Sequence, residues 1–131
     1  NVFFHDSMSR VELIKWIKKS SICLVPLKNE SLFRSALPSK MFEYMVCGRP
    51  VIIGIKGDVE DIINISKSGV VVEPENSVLL SKAIINYFEN SDKCISDGMN
   101  GMTYITANLK KEDLLSKLMN KLYLIENKFN E

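Results

Sequence analysis

Lys40 and Glu43 stand three residues apart in Ser-Lys-Met-Phe-Glu. On a helix that spacing places an ammonium and a carboxylate on one face. Pro38 and Ser39 come just before them, and both residue types suit the start of a helix. A helix start carries backbone N–H groups without intrahelical partners and the positive end of the dipole. It therefore stabilises an anion, a diphosphate included. Ser39 would add a hydroxyl, Lys40 a charge, and the backbone of Ser39–Met41 the amides. Glu43 is the only charge between Met41 and Cys47. One turn into the helix, its carboxylate is placed to accept two hydroxyl hydrogen bonds from a ribose, as the acidic residue of dinucleotide folds does. A plainer alternative stays open: Pro38 and Ser39 merely begin a helix, and Glu43 pairs with Lys40 in solvent.

Other residues with chemical potential lack partners. Gly54–Asp61 reads as a strand end turning into a helix, with Gly57 allowing a close backbone approach and Asp58 as the cap. Asp58, Glu60 and Asp61 match no calcium-loop spacing, and no metal site is expected. His5 is the only histidine and reads as a turn residue. No nucleophile elbow and no Gly-x-x-x-x-Gly-Lys phosphate loop occurs. Cys23, Cys47 and Cys94 are odd in number and far apart, so neither a disulfide framework nor a structural zinc site is expected, and a reducing compartment is.

The elements that must position these residues alternate between two periods. Asn1–Phe4 reads as a strand. Ser9-Arg-Val-Glu12 fits a capping box opening a helix that ends near Lys19. Ile22–Val25 is a buried strand stopped by Pro26, and Lys28–Leu37 is a loop longer than the usual connection. Ser39–Cys47 is a helix with Gly48 as its stop. Strands at Val51–Ile55 and Val70–Val72 flank a short helix at Val59–Ile65. Helices are expected at Ser77–Phe88, Asp92–Thr106 and Lys111–Phe129, their apolar stripes read as core, including Leu114, Leu115, Leu118, Met119 and Leu122. Strands apolar at every position, alternating with helices, predict an α/β fold: a Rossmann-like parallel sheet with helices on both faces. Ligands of such sheets bind beyond the carboxyl ends of the strands, where the Lys28–Leu37 loop lies.

Composition narrows the classes further. The chain has 131 residues, 46% hydrophobic and 25% charged, the length and make-up of one domain over 1–131. Its formal charge is +1, and Arg10, Arg34 and Arg49 are its only arginines, which argues against a nucleic-acid partner. No apolar run approaches the roughly 18 residues that a membrane span needs. The few strands predict the latter part of a larger doubly wound domain.

Ala36–Ile52, Ala-Leu-Pro-Ser-Lys-Met-Phe-Glu-Tyr-Met-Val-Cys-Gly-Arg-Pro-Val-Ile, resembles the donor-site segment of the retaining, GT-B-fold glycosyltransferases of family 4. It is most similar to bacterial members that build surface polysaccharides. Asn1–Pro26, Gly69–Glu75 and Asn100–Gly101 with the closing helices resemble neighbouring parts of the same family, so nearly the whole chain is covered. The resemblance implies the C-terminal, donor-binding domain of a GT-B enzyme that transfers a hexose or N-acetylhexosamine-type sugar from a nucleotide diphosphate sugar to a hydroxyl acceptor, often lipid-linked. Uridine diphosphate is the expected nucleotide, and neither a cofactor nor an active-site metal is implied.

Of the family's Glu-x7-Glu motif, the second glutamate, which holds the ribose, falls on Glu43. The first, near the donor sugar, falls on Ser35, a departure that leaves sugar recognition to Ser35, Ala36 and Leu37. The phosphate-contacting turn falls on Pro38, Ser39 and Lys40, with Met41 following. The N-terminal acceptor domain and the first donor-domain strands, with their basic pair, are not in the chain, so the isolated chain is expected to be inactive. A cytoplasmic location, with peripheral contact at the inner membrane surface, is a further implication. Two other readings stay open: a sugar-nucleotide epimerase on the same fold, and a non-catalytic nucleotide-sugar binding or assembly module.

Overall fold

The computed structural model describes residues 1–30, 33 and 35–129, apart from the side chains of 111 and 126–129. The expected loop Lys28–Leu37 therefore lies partly outside the described residues. Helix α1 (Arg10–Lys19) leads into β1 (Cys23–Pro26), followed by α2 (Ser39–Val46), β2 (Val51–Gly54), α3 (Asp58–Ser66) and β3 (Gly69–Val71). Three helices close the chain: α4 (Ser77–Glu89), α5 (Ser91–Asn108) and α6 (Lys111–Phe129). The strands are parallel in the order β1-β2-β3, with Cys23 opposite Val51, Pro26 opposite Gly54 and Ile53 opposite Val71. That register brings the three strand-to-helix connections to one end of the sheet.

All four residues of β2 are buried because both of its faces are covered. Val51, Ile53 and Ile55 join Val25, Met41, Met45, Val59 and Ile63 in a core beneath α2 and α3. Ile52 joins Val72, Ala83 and Tyr87 on the opposite face, under α4. The α/β fold with helices on both faces is as the sequence predicts. Coverage is complete only at the centre, since β1 alternates and Leu24 stays 38% exposed.

Helix ends follow local chemistry. The capping box of α1 forms: the Glu12 N–H donates to the Ser9 hydroxyl at 3.3 Å, and the Glu12 carboxylate accepts the Ser9 N–H at 3.0 Å. Helix α2 ends in a Schellman turn. The Gly48 N–H donates to the Met45 carbonyl, the Arg49 N–H donates to the Tyr44 carbonyl, and Gly48 takes a φ of +68°.

Three expectations are corrected. Asn1–Phe4 is not a strand: Val2, Phe3 and Phe4 are 73–95% exposed, and no ladder forms there among the described residues. An extended apolar segment becomes a strand only when a neighbour takes its backbone groups. Asp58 does not cap α3. The N-cap is Gly57, with a φ of +118° and no side-chain bond, and Asp58 is the first helical residue, where its charge suits the dipole. The stripe of α6 is not core. Leu114, Leu115, Leu118, Met119 and Leu122 are 44–53% exposed, because α2, α3, α4 and α5 already pack the sheet and no described residue of α6 joins either core cluster.

Candidate functional site

Met41 and Met45 lie fully buried on one side of α2 and seat that helix on the sheet. The rest of its first turn is thereby left at the carboxyl end of β1. Its N-cap is Pro38, with a φ of −63° and a ψ of 118°, and no side chain caps it. Proline has no side-chain acceptor for the first amides, so this helix end stays electrostatically open. The Met41 N–H donates to the Pro38 carbonyl at 3.0 Å, which occupies one of the three amides that the sequence offers to an anion. Ser39 and Lys40 are exposed, and their amides are the open ones among the described residues.

Glu43 lies one turn on, its side chain 43% exposed. The alternative pairing with Lys40 does not form among the described residues. Among the described residues, the cation that pairs with Glu43 is Arg10, whose Nη2 is 4.0 Å from Oε1. At that distance and exposure the pair contributes well under 1 kcal/mol. Glu43 thus keeps acceptor capacity for a ligand, and Lys40 makes no ion pair among the described residues. Arg10 is a residue that sequence reasoning missed. It opens α1, and α1 feeds β1 from the opposite direction, so its first turn comes to the same end of the sheet as α2. The signal available was the capping box at Ser9, which fixes where α1 begins.

Short-range backbone bonds link the described residues of the connection before α2. The Glu30 N–H donates to the Lys28 carbonyl, the Phe33 N–H to the Glu30 carbonyl and the Ala36 N–H to the Phe33 carbonyl. Phe33 packs against the core and anchors this stretch. Ser35 and Leu37 are exposed and Ala36 is half-buried, leading directly into Pro38. The structure therefore brings Ser35, Ala36, Leu37, Pro38, Ser39, Lys40 and Glu43 to one edge, while the Met41 side chain faces the core.

A cavity of about 530 Å³ lies elsewhere, lined by Ser21, Ile22, Arg49, Pro50, Tyr87 and Cys94 among others. These residues sit at the amino ends of β1 and β2 and on α4 and α5, so the cavity is at the end away from α2's first turn. A hollow of about 200 Å³ at the carboxyl ends is lined by Pro26, Gly54, Glu73, Glu75, Asn76 and Leu80. Size alone favours the first. The second has the position at which open parallel sheets take ligands, and position decides. Among the described residues, no group of three His, Cys, Asp or Glu side chains is arranged to hold a metal ion, and no helix is long and apolar enough to cross a membrane.

A family model described as glycosyl transferases group 1 matches residues 1–90. The chain belongs to that family. Among solved structures it is similar to sucrose-phosphate synthase from Thermosynechococcus elongatus, with a TM-score of 0.78 and 21% sequence identity over 94% of this chain. That likeness shows the fold, an α/β fragment of the GT-B type. The chain spans 30% of the length of that synthase. No curated protein is similar enough in sequence to stand as a relative. The family match covers α1, α2 and the loop between β1 and α2, so the candidate edge lies wholly inside it.

Proposed function

We propose that this chain is the donor-binding part of a retaining glycosyltransferase of family 4, holding a nucleotide diphosphate sugar. The observation that carries the reading is the open first turn of α2 with Glu43 one turn further, at the carboxyl end of a parallel sheet in a chain of the glycosyl transferases group 1 family. The Ser39 and Lys40 amides, the Ser39 hydroxyl and the Lys40 ammonium face the diphosphate. Charge on a departing diphosphate rises in the transition state, and fixed donors at a helix end stabilise it without reorganising. Glu43 accepts two ribose hydroxyls. Ser35, Ala36 and Leu37 border the sugar. The donor is a uridine diphosphate hexose or N-acetylhexosamine, and the acceptor is a hydroxyl on a lipid-linked surface polysaccharide precursor. The enzyme works in the cytoplasm against the inner membrane surface, its acceptor domain and the remaining phosphate-neutralising cations supplied by chain outside these residues. No resident cofactor or metal takes part.

A second reading has one observation in its favour. Ser35 stands where the family places a glutamate, and it is exposed and uncharged. A module that binds a nucleotide sugar without transferring it would tolerate that change.

Loss of Glu43 separates a ribose contact from a surface charge. Truncating a charged hydrogen-bonding group costs about 1–3 kcal/mol, or roughly 5- to 150-fold in Kd. Calorimetry of the full-length protein with uridine diphosphate should show that loss in Glu43→Ala. Equal affinity in the variant and the wild type would overturn the assignment.

A further inference from the structure

Arg49 carries a charge that the fold leaves without a counter-ion. It sits in the turn that closes α2, and its Nη2 donates to the Lys18 carbonyl at the end of α1. Its Nε is buried and has no partner among the described residues. A guanidinium has five N–H donors in a planar fork, so one carbonyl leaves most of them open. No carboxylate pairs with Arg49 among the described residues. The buried acid beside Tyr87 is already taken: Asp97 accepts the Tyr87 hydroxyl and the Lys93 ammonium, each at 2.6 Å. Cys23 offers Arg49 no negative charge at neutral pH, because burial raises its thiol pKa to about 11.

Arg49 and Tyr87 also line the cavity of about 530 Å³ at the amino ends of β1 and β2. That volume lies within the roughly 300–1,000 Å³ of pockets that take small ligands. The wall opposite the charge is apolar. Ile22 precedes β1, Ile84 and Phe88 come from α4, and Ile95 and Met99 from α5. Phe88, Ile95 and Met99 are 49–88% exposed, so an apolar body seated there would take their surface out of water. A buried donor without an acceptor is costly, and an anion at the guanidinium would offset that cost.

We infer that this cavity binds an amphipathic carboxylate, its head on the Arg49 guanidinium and its apolar body against Ile84, Phe88, Ile95 and Met99. An arginine fork matches the two oxygens of a carboxylate. One uncompensated cation suits one negative charge, whereas a phosphate monoester carries nearly two. The donor edge lies at the other end of the sheet, so this site stands independently of the function proposed above.

The test uses decanoate below its micelle concentration, with decan-1-ol as its uncharged match. Calorimetry is run on the full-length protein as wild type, Arg49→Met and Met99→Trp, and the thermal midpoint of each is recorded. Methionine keeps much of the arginine's apolar stem and removes its charge. Tryptophan at the exposed rim position takes up cavity space and leaves the bond between Arg49 and Lys18 intact. Decanoate should bind wild type and weaken roughly tenfold or more in Arg49→Met, the scale of a charge-assisted hydrogen bond. Decan-1-ol should bind both alike and less tightly than decanoate binds wild type. Met99→Trp should weaken both probes. Decanoate should slow hydrogen exchange within 84–99, and uridine diphosphate should not displace it. No binding by wild type, or equal decanoate affinity in Arg49→Met, overturns the inference. So does displacement by uridine diphosphate, which would put the carboxylate at the donor edge, or slowed exchange confined to 111–125, which would put it on the exposed leucines of α6. Should Arg49→Met prove unfolded, Met99→Trp decides: undiminished decanoate affinity there overturns the site.

Discussion

The three thiols show how far one residue's surroundings set its chemistry. Cys23 is buried on β1, and burial pushes its pKa up to about 11, with nearby Arg49 opposing the shift. Cys94 donates from its sulfur to the Ser21 carbonyl at 3.3 Å and is also pushed up by burial. Cys47, at the end of α2, is half-buried. Reactivity follows the accessible thiolate, so at pH 8 a thiol reagent should label Cys47 first and Cys23 only after urea unfolding, as read by peptide mass mapping. The pH dependence has a definite sign. A group whose folded pKa lies above its unfolded value stabilises the fold fully below the unfolded value, and loses that contribution as pH rises through the folded one. Cys23 should therefore contribute fully below pH 9.0 and progressively less toward about 11. Urea midpoints measured from pH 8 to 11 should fall less steeply in Cys23→Ala than in wild type. Glu12 runs the other way. Its bonds to the Ser9 hydroxyl and N–H hold its carboxyl below the usual value, so its contribution is present above that value and lost on acidification.

Between elements, close approach decides what sequence patterns do not express. A Cβ added to Gly98 on α5 would come within 2.3 Å of the Gly48 carbonyl oxygen and 3.3 Å of Pro50. Backbone cannot yield as a side-chain tip does. Gly98→Ala should therefore destabilise by about 1–3 kcal/mol, despite alanine's better helix propensity of up to about 1 kcal/mol. Urea unfolding should show a lower midpoint with an unchanged m-value. An equal or higher midpoint would mean that α5 shifts on the α2–β2 turn at little cost. Nothing in the periodicity of α5 marks this contact; the helix was legible, its seat was not. The same division holds elsewhere. The Ser9–Glu12 box, the Gly48 stop and the all-apolar β2 are local signals, and each appears in the structure where the sequence places it. Asn1–Phe4 and the apolar stripe of α6 carry equally good local patterns and fail, because a strand needs a ladder partner and a core stripe needs a surface to cover. The site divides similarly. Pro38, Ser39, Lys40 and Glu43 are one run of chain and were readable together. Arg10 reaches the same edge from another element, through a register that only the folded chain has.

For the molecule as a whole, α6 is the element that the sheet does not explain. It is 19 residues long, and its leucines face solvent rather than the core. Most helical stability in proteins comes from packing an amphipathic face, so a helix with no described residue in either core cluster should melt apart from the sheet. Heating the 131-residue chain under circular dichroism at 222 nm should give a broad early loss of helix, then the cooperative transition of the β1-β2-β3 layer. Removing 111–131 should abolish the early phase and leave the second midpoint in place, since among the described residues none of either core cluster lies beyond Ile105. It should also lower the binding of an apolar dye, because an exposed apolar patch of this kind is an interaction surface or an aggregation liability. A single transition that moves down on truncation would show instead that α6 docks on the sheet domain in solution, and the exposed face of β1 at Leu24 would be the first place to look for the contact.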